Sequence, residues 1–367
     1  MGLLAGLYEP DENKLYPPKE ERYVGTDGAY LRAVYDYEIL AETHDVKSAF
    51  HSWEEQGMKA FVDLLPVESP ENLPEDSGPS SCDSLWGEPE ILCKNERQLP
   101  TGTTFYRAAS LLTSLALEKE AVGITGVLRD WLLIKAFDRV LAGKEIPGTI
   151  YLPQNVTGAE HEPENIRIEK LAGPAVEAFK RSQTLEQDNF YNVTPGYNPN
   201  SREAYKTIAY EIFLQYGEIP DRVYLPVGEG DVISGIREGF EELRIIGWGR
   251  KQAKIFAVLS PEDEARVRWL EEALEEEQKN INSELSGPRR GMFDLYFATR
   301  ALKRSGGGIV KISREMLRES EGNNSFAESG SEVPSALYAA FKEQKSEDIG
   351  SVVFVDTGKS TVRQMKQ

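Results

Sequence analysis

Three short stretches set a glycine turn at the start of a helical pattern: LPTGTTFYRAA (99–109), VGITGVLRD (122–130) and PVGEGDVISG (226–235). A helix that begins this way presents backbone N–H groups with no partner inside the helix, and its dipole favours negative charge there. The chemistry is the holding of a phosphate or a carboxylate. In an α/β chain, such junctions converge on one ligand beside the carboxyl ends of the strands. The candidate contact groups are Thr101, Gly102 and Thr103 in the first turn, Thr125 and Gly126 in the second, and Gly228, Glu229, Gly230 and Asp231 in the third. Arg107 carries the charge to hold a carboxylate. Glu229 and Asp231 suit an amine or a divalent cation.

Other chemistries find less support. DTGKST (356–361) has the GK pair of a phosphate loop, but the glycine required five residues before Gly358 is Val353. The three histidines, His44, His51 and His161, show no metal-ligand spacing on a common helix, and no GxSxG elbow is present. Two cysteines, Cys82 and Cys93, make neither a disulfide scaffold nor a multi-cysteine zinc site, so no metal is expected. Sequons at Asn155, Asn192 and Asn323 carry little meaning without secretion.

The 367 residues carry 61 acidic and 42 basic side chains, a net charge of -19. Such a surface repels nucleic acid and anionic membranes, and neither is an expected partner. No apolar run reaches the ~18 residues that a membrane span needs. The start, MGLLAGLYEP, lacks a basic n-region, and the low cysteine content fits a reducing cytoplasm.

The turns need a scaffold. Residues 107–142 read as helix, short strand ending in a glycine turn, and helix, followed by the strand TIYLP. Downstream, AYKTIAYEIFLQYG reads as a helix, DRVYLPVGEG as a strand and turn, ISGIREGFEELRIIG as a helix, and AKIFAVLS, GGGIVKIS and SVVFVDTG as strands. AYLRAVYDYE reads as one strand, SALYAAFKEQ as a helix, and the proline-rich 66–90 as an irregular connection. The acidic run 261–285 reads as a solvated helix face. Alternating helix and strand at this spacing predicts an α/β fold with a parallel sheet.

Taken together and in order, these segments resemble the threonine synthase and cysteate synthase branch of the fold-type-II pyridoxal-phosphate (PLP) enzymes. ILCKNERQLPTGTTFYR is similar to the family's Lys-x-Glu…Pro-Thr-Gly-Ser-Phe-Lys-Asp-Arg segment. NPNSREAYKTIAYEIFLQYGEIPDRVYLPVGEGDVISGIREGFEEL resembles its helix–strand–phosphate-loop–helix unit, and VVFVDTG its last strand and Thr-Gly turn. YVGTDGAYLRAVYDYE and FVDLLPVES resemble the N-terminal segment and the LLPV connection.

The resemblance implies a two-lobed α/β architecture, tryptophan synthase β-like, with parallel or mixed sheets flanked by helices. Residues 1–60 would be a degenerate N-terminal segment without the zinc cysteines. Residues 61–112 with 196–367 would form a large lobe, and 113–195 a small one. A cytoplasmic homodimer, or a hetero-oligomer with an active paralogue, would bind an amino-acid-like molecule. With Thr357 and Gly358 at the family's Thr-Gly turn, Thr357 would face the cofactor's pyridine nitrogen.

The departures fall on the chemistry. An ungapped match from Pro100 puts Phe105 at the Schiff-base lysine and Tyr106 at the aspartate, with Arg107 kept. A phenyl ring forms no imine. The family's Ser-Thr-Gly-Asn corresponds to Ile124, Thr125, Gly126 and Val127, and its Gly-Asn-Gly-Gly-Asn loop to Gly228, Glu229, Gly230, Asp231 and Val232. At about 5 Å and an effective dielectric of ~20, each like-charge pair with a phosphate costs roughly 3 kcal/mol. The expectation is a binding or regulatory pseudoenzyme with no cofactor. The alternative is an active PLP lyase or β/γ-replacement enzyme using a displaced lysine. Lys94 and Lys135 are the candidates for that role, each otherwise a solvated surface residue.

Overall fold

The tyrosine-rich N-terminal stretch forms an antiparallel sheet of β1 (Leu4–Glu9), β2 (Lys14–Tyr16) and β3 (Arg32–Tyr35), with β1 central. The strand expected over 29–38 is shorter than its pattern. Asp36 stops it by accepting the Ile39 N–H at 3.1 Å, and α1 (Tyr37–Thr43) follows. Glu9 is fully buried, yet its carboxylate accepts the Tyr16 hydroxyl at 2.5 Å and the Thr26 N–H at 2.8 Å. A buried carboxylate demands such partners.

The computed structural model describes residues 3–10, 12–20, 22–43, 53–85, 87–153, 162–173, 175–228, 230–259, 264–279, 293–313, 315–316, 341 and 350–358. Part of the connection expected to be irregular is strand: β4 (Cys82–Leu85) pairs antiparallel with β5 (Glu88–Asn95). Pro89 is tolerated there because it stands at the exposed start of β5. Next come α2 (Phe105–Glu118), β6 (Gly123–Val127), α3 (Trp131–Leu141), β7 (Gly148–Pro153), β8 (Ile166–Leu171), α4 (Ala175–Gln187), β9 (Phe190–Asn192) and α5 (Asn200–Tyr216). The remainder is β10 (Arg222–Pro226), α6 (Gly230–Ile245), β11 (Lys254–Leu259), α7 (Glu264–Lys279), α8 (Phe293–Ser305), β12 (Gly308–Lys311) and β13 (Val352–Asp356).

The chain forms two compact units. Unit 1 is Met1–Pro79, Phe105–Ala204 and Ser286–Phe293; unit 2 is Ser80–Thr104, Tyr205–Leu285 and Asp294–Gln367. Unit 1 holds a parallel sheet in the order β8-β7-β6-β9. Unit 2 holds the order β12-β11-β10-β13-β5-β4, parallel except at β4. The continuous apolar runs of β6 and β13 are what a sheet covered on both faces requires, and every residue of both is buried. In unit 2, Tyr224 stacks on Phe256 with ring centres 4.9 Å apart, beside Phe354 at 5.7 Å.

Helix α6 packs closely on α5. A Cβ at Gly239 would lie 2.7 Å from the Lys206 carbonyl oxygen, so the approach needs glycine. The same pair carries a buried ion pair, Lys206 to Glu242 at 2.9 Å. Within the acidic run, 264–279 form a helix, α7, which buries Leu270 and Ala273 while Glu272 and Glu275 face solvent. Apart from Phe341, the helix expected over 335–344 lies outside the described residues, as do His44, His51, His161, Asn155 and Asn323. Among the described residues no helix is long and apolar enough to cross a membrane.

Candidate ligand-binding site at the strand ends of unit 2

Strands β5, β13 and β10 are neighbours and run parallel, so their carboxyl ends lie side by side. Each end carries a segment noted in the sequence: 95–104 after β5, Thr357–Gly358 after β13, and Val227–Gly228 after β10, ahead of α6. Two of these turns are joined. Thr103 bridges to Gly358, and the Thr104 N–H donates to the Thr357 carbonyl at 3.0 Å. Gly358 has φ +108°, and a Cβ there would stand 2.2 Å from the Gly102 carbonyl oxygen. Thr101, Gly102, Thr103, Thr357 and Gly358 therefore form one locked corner.

Three side chains that sequence reasoning left without a role shape this corner. Glu96 is fully buried and accepts hydroxyl hydrogen bonds from Ser80 at 2.5 Å and Thr104 at 3.2 Å. Asp356 ends β13; its Oδ1 accepts the Gly358 N–H at 3.1 Å. Burial pushes the Asp356 carboxyl up to about 6; the Gly358 N–H and the Arg97 charge pull it down, and Glu96 pushes it further up. Arg97 Nη1 and Thr101 Oγ1 are buried without a hydrogen-bond partner. Polar atoms in that state are unusual and mark a place where a ligand oxygen would be welcome. Glu96 was legible within the Lys-x-Glu resemblance, and Asp356 within DTGKST; Arg97 gave no signal.

In the third turn, a Cβ at Gly228 would meet nothing within 4 Å, so the backbone there is open to approach. Gly230 and Asp231 open α6 and are buried. A carboxylate in the first turn already meets the positive end of the helix dipole, the position a bound anion would otherwise take. Glu229 lies outside the described residues.

Lys94 is not the surface residue that was expected. It has no exposure, and its Nζ contacts Glu211 Oε2 at 2.6 Å, Gln215 Oε1 at 3.0 Å and the Ser80 carbonyl. The correction has a simple cause: α5 supplies a buried carboxylate, and a paired lysine tolerates burial that a lone one would not. Lys135 is exposed on α3.

The remaining candidates belong to unit 1. Phe105 opens α2 half-buried. Tyr106 donates to Asp76, which also takes Arg139 Nη2 at 2.9 Å, and Arg107 is fully buried. Thr125 and Gly126 do not sit in a turn that opens a helix. Both are inside β6, registered against Thr149 and Ile150, because Gly126 lets Thr194 approach within 3.0 Å of its would-be Cβ. The helix opens later, where Asp130 accepts the Leu132 N–H at 2.8 Å. Thr125 Oγ1 is buried without a partner. Asn192 is fully buried and its amide donates to Ser182 and Glu186. Among the described residues no cluster of three metal-ligating side chains occurs. Burial pushes both thiols up, that of Cys82 to about 12, so neither is a thiolate near neutral pH.

A family model described as pyridoxal-phosphate dependent enzyme matches residues 136–322, just over half of the chain. The threonine synthase of Methanocaldococcus jannaschii is 28% identical over 248 residues, covering 64% of this chain and 60% of that protein. The threonine synthase of Methanosarcina acetivorans is 30% identical over 234 residues, covering 59% of this chain and 55% of that protein. The chain thus spans less than two thirds of the length of these relatives. Among solved structures, threonine synthase from Escherichia coli superposes with a TM-score of 0.61 at 12% identity, over 96% of this chain and 88% of that one. Maize serine racemase gives 0.54 at 14%, over 78% and 91%. At such identities these superpositions show the fold, the two-lobed α/β architecture of fold-type-II PLP enzymes.

These findings correct the expectation of no cofactor: the matching family and the threonine synthases point to PLP. The residues present fit that group in one respect and fail it in another. The open backbone at Gly228, the unsatisfied Thr101 Oγ1 and the unsatisfied Arg97 Nη1 offer groups to an acceptor-rich anion. Capture through an imine is where the fit fails: the sequence resemblance puts Phe105 at the lysine position, and Lys94, a candidate for displaced capture, is locked against Glu211. With a family model matching just over half of its length and the same fold in solved relatives, the chain belongs to the pyridoxal-phosphate dependent enzyme family, on the threonine-synthase-like branch.

Proposed function

We propose that this threonine-synthase-like chain holds PLP by hydrogen bonds and charge alone, binds an amino-acid-like molecule, and serves as a binding or regulatory protein. One observation carries the reading: the lysine nearest in sequence to Phe105 on its N-terminal side, Lys94, has its nitrogen enclosed by Glu211, Gln215 and Ser80. An amine held as a buried, paired ammonium is no nucleophile. PLP supplies its chemistry through covalent attachment to amines. Here Thr101, the backbone at Gly228 and Arg97 would hold the anionic coenzyme, and Thr357–Gly358 would border it. As in the family, assembly would be a homodimer or a complex with an active paralogue.

Equilibrium dialysis with PLP, followed by borohydride reduction and peptide mass spectrometry, tests this. The expected result is saturable binding with the coenzyme fully released on denaturation and no pyridoxyl lysine. A pyridoxyl adduct on any lysine, Lys94 and Lys135 included, sinks the proposal in favour of an active lyase or replacement enzyme.

A further inference from the structure

Unit 1 carries an opening of its own. Segments far apart in sequence wall a cavity of about 330 Å³, inside the roughly 300–1,000 Å³ range of small-molecule sites. One side is aliphatic: Leu4 and Leu7 from β1, Leu65 and Val67 from the 65–67 run, and Leu115 from α2. Another is aromatic. Tyr23 and Tyr191 meet edge to face at 5.8 Å, and Tyr23 stacks on Tyr197 at 5.0 Å. The two hydroxyls are fixed as well, Tyr23 accepting the Asn192 N–H at 2.9 Å and Tyr191 the Asn200 amide at 3.0 Å. These rings are held before any ligand arrives.

The charge at the mouth is unusual. Glu118 is the last residue of α2 and lines the cavity. A carboxylate there faces the negative end of the helix dipole. Its oxygens accept the Ser69 N–H at 2.6 Å and the Glu68 N–H at 3.1 and 3.2 Å. Burial still raises its carboxyl above the ordinary range. Glu20 and Glu68 line the same space, against the bases Arg22 and Lys119. Arg22 is occupied, bonded to Glu20 at 3.0 Å and lying 4.2 Å over the Tyr16 ring. Three acids against two bases, with a helix carboxyl end added, leave the cavity short of positive charge. A half-buried carboxylate held against the dipole in a pre-formed pocket is a common mark of a ligand site.

We infer that this cavity binds a small organic ammonium compound with an apolar body. The ammonium lies against Glu118 and the tyrosine faces, where cation–π attraction adds to the charge. The body lies on the leucines. Two sources share that chemistry, a simple aliphatic amine and a hydrophobic L-amino acid.

Titration calorimetry on the full chain with isopentylamine, L-leucine and 4-methylpentanoate separates them. Glu118→Gln is the informative variant, because a Gln oxygen can still accept the N–H bonds of Ser69 and Glu68 while the charge is gone. Saturable binding of isopentylamine or L-leucine, weakened at least tenfold in Glu118→Gln and undetectable for 4-methylpentanoate, is the expected result. Which of the two binds identifies the source. Leu4→Trp, which fills the cavity from its half-buried edge, is expected to abolish binding and stands in should the first variant not fold. No saturable binding of either amine, equal binding of 4-methylpentanoate, or affinity unchanged in either folded variant overturns the inference.

Discussion

Lys94 and Asp356 lie on neighbouring strands of unit 2, where Val355 registers with Lys94 and Asp356 with Asn95. Both are buried, and they are treated in opposite ways. Lys94, inside the sheet, meets a carboxylate, an amide and a carbonyl. Asp356, at the strand end, has one backbone N–H and the field of Arg97 against that of Glu96. The interior charge is neutralised and structural. The strand-end charge is under-compensated, in the same corner as the unsatisfied Arg97 and Thr101 atoms. The difference teaches how one sheet treats two buried charges: the one within the strands is fully paired, and the one at the turns is not.

Breaking the interior pair should have the largest effect. Lys94→Met leaves Glu211 buried without its cation, a loss of about 3–5 kcal/mol in urea unfolding. Lys94→Met with Glu211→Leu should recover most of it, because two apolar groups leave no orphan charge. A double variant as unstable as the single one would contradict the assignment.

The strand-end charge should respond to pH instead. The folded-state value of Asp356, about 6, lies above the ordinary 3.8, so its contribution to stability is fully present below pH ~4 and is lost as pH rises through 6. That loss is about 3 kcal/mol at 1.36 kcal/mol per unit. Asp356→Asn, which can still accept the Gly358 N–H, should be more stable than the parent by about 2–3 kcal/mol at pH 8 and equal to it at pH 4. Parallel stability profiles for the two proteins would remove the contrast drawn here.

Thr104→Val sharpens the comparison at the smallest scale. It deletes one hydroxyl bond to the buried Glu96, worth about 1 kcal/mol. Lys135→Ala on exposed α3 should change stability by less than about 0.5 kcal/mol.

Much of the scaffold was legible because buried parallel strands are written as apolar runs, as in RVYLP and VVFVD. The first and third turns were legible for the same reason, since each follows such a run and precedes a helix. The second was misplaced because Gly126 looked like a turn residue, whereas it makes room for Thr194 within a strand. Lys94 was misjudged because its partner, Glu211, stands 117 residues away, and no local pattern announces such a pair. Asp356 was passed over because DTGKST was weighed as a nucleotide loop and VVFVDTG for its Thr-Gly turn, and neither reading gave the aspartate a part. Both errors concern polar groups whose meaning depends on distant neighbours.

Placing an amine at residue 105 is the most direct test of the proposed function. Phe105→Lys and the parent should be loaded with PLP, reduced with borohydride and mapped by mass spectrometry. The account predicts a pyridoxyl group on residue 105 of the variant and on no residue of the parent. A reduced adduct on a lysine of the parent, whatever the variant shows, would contradict it.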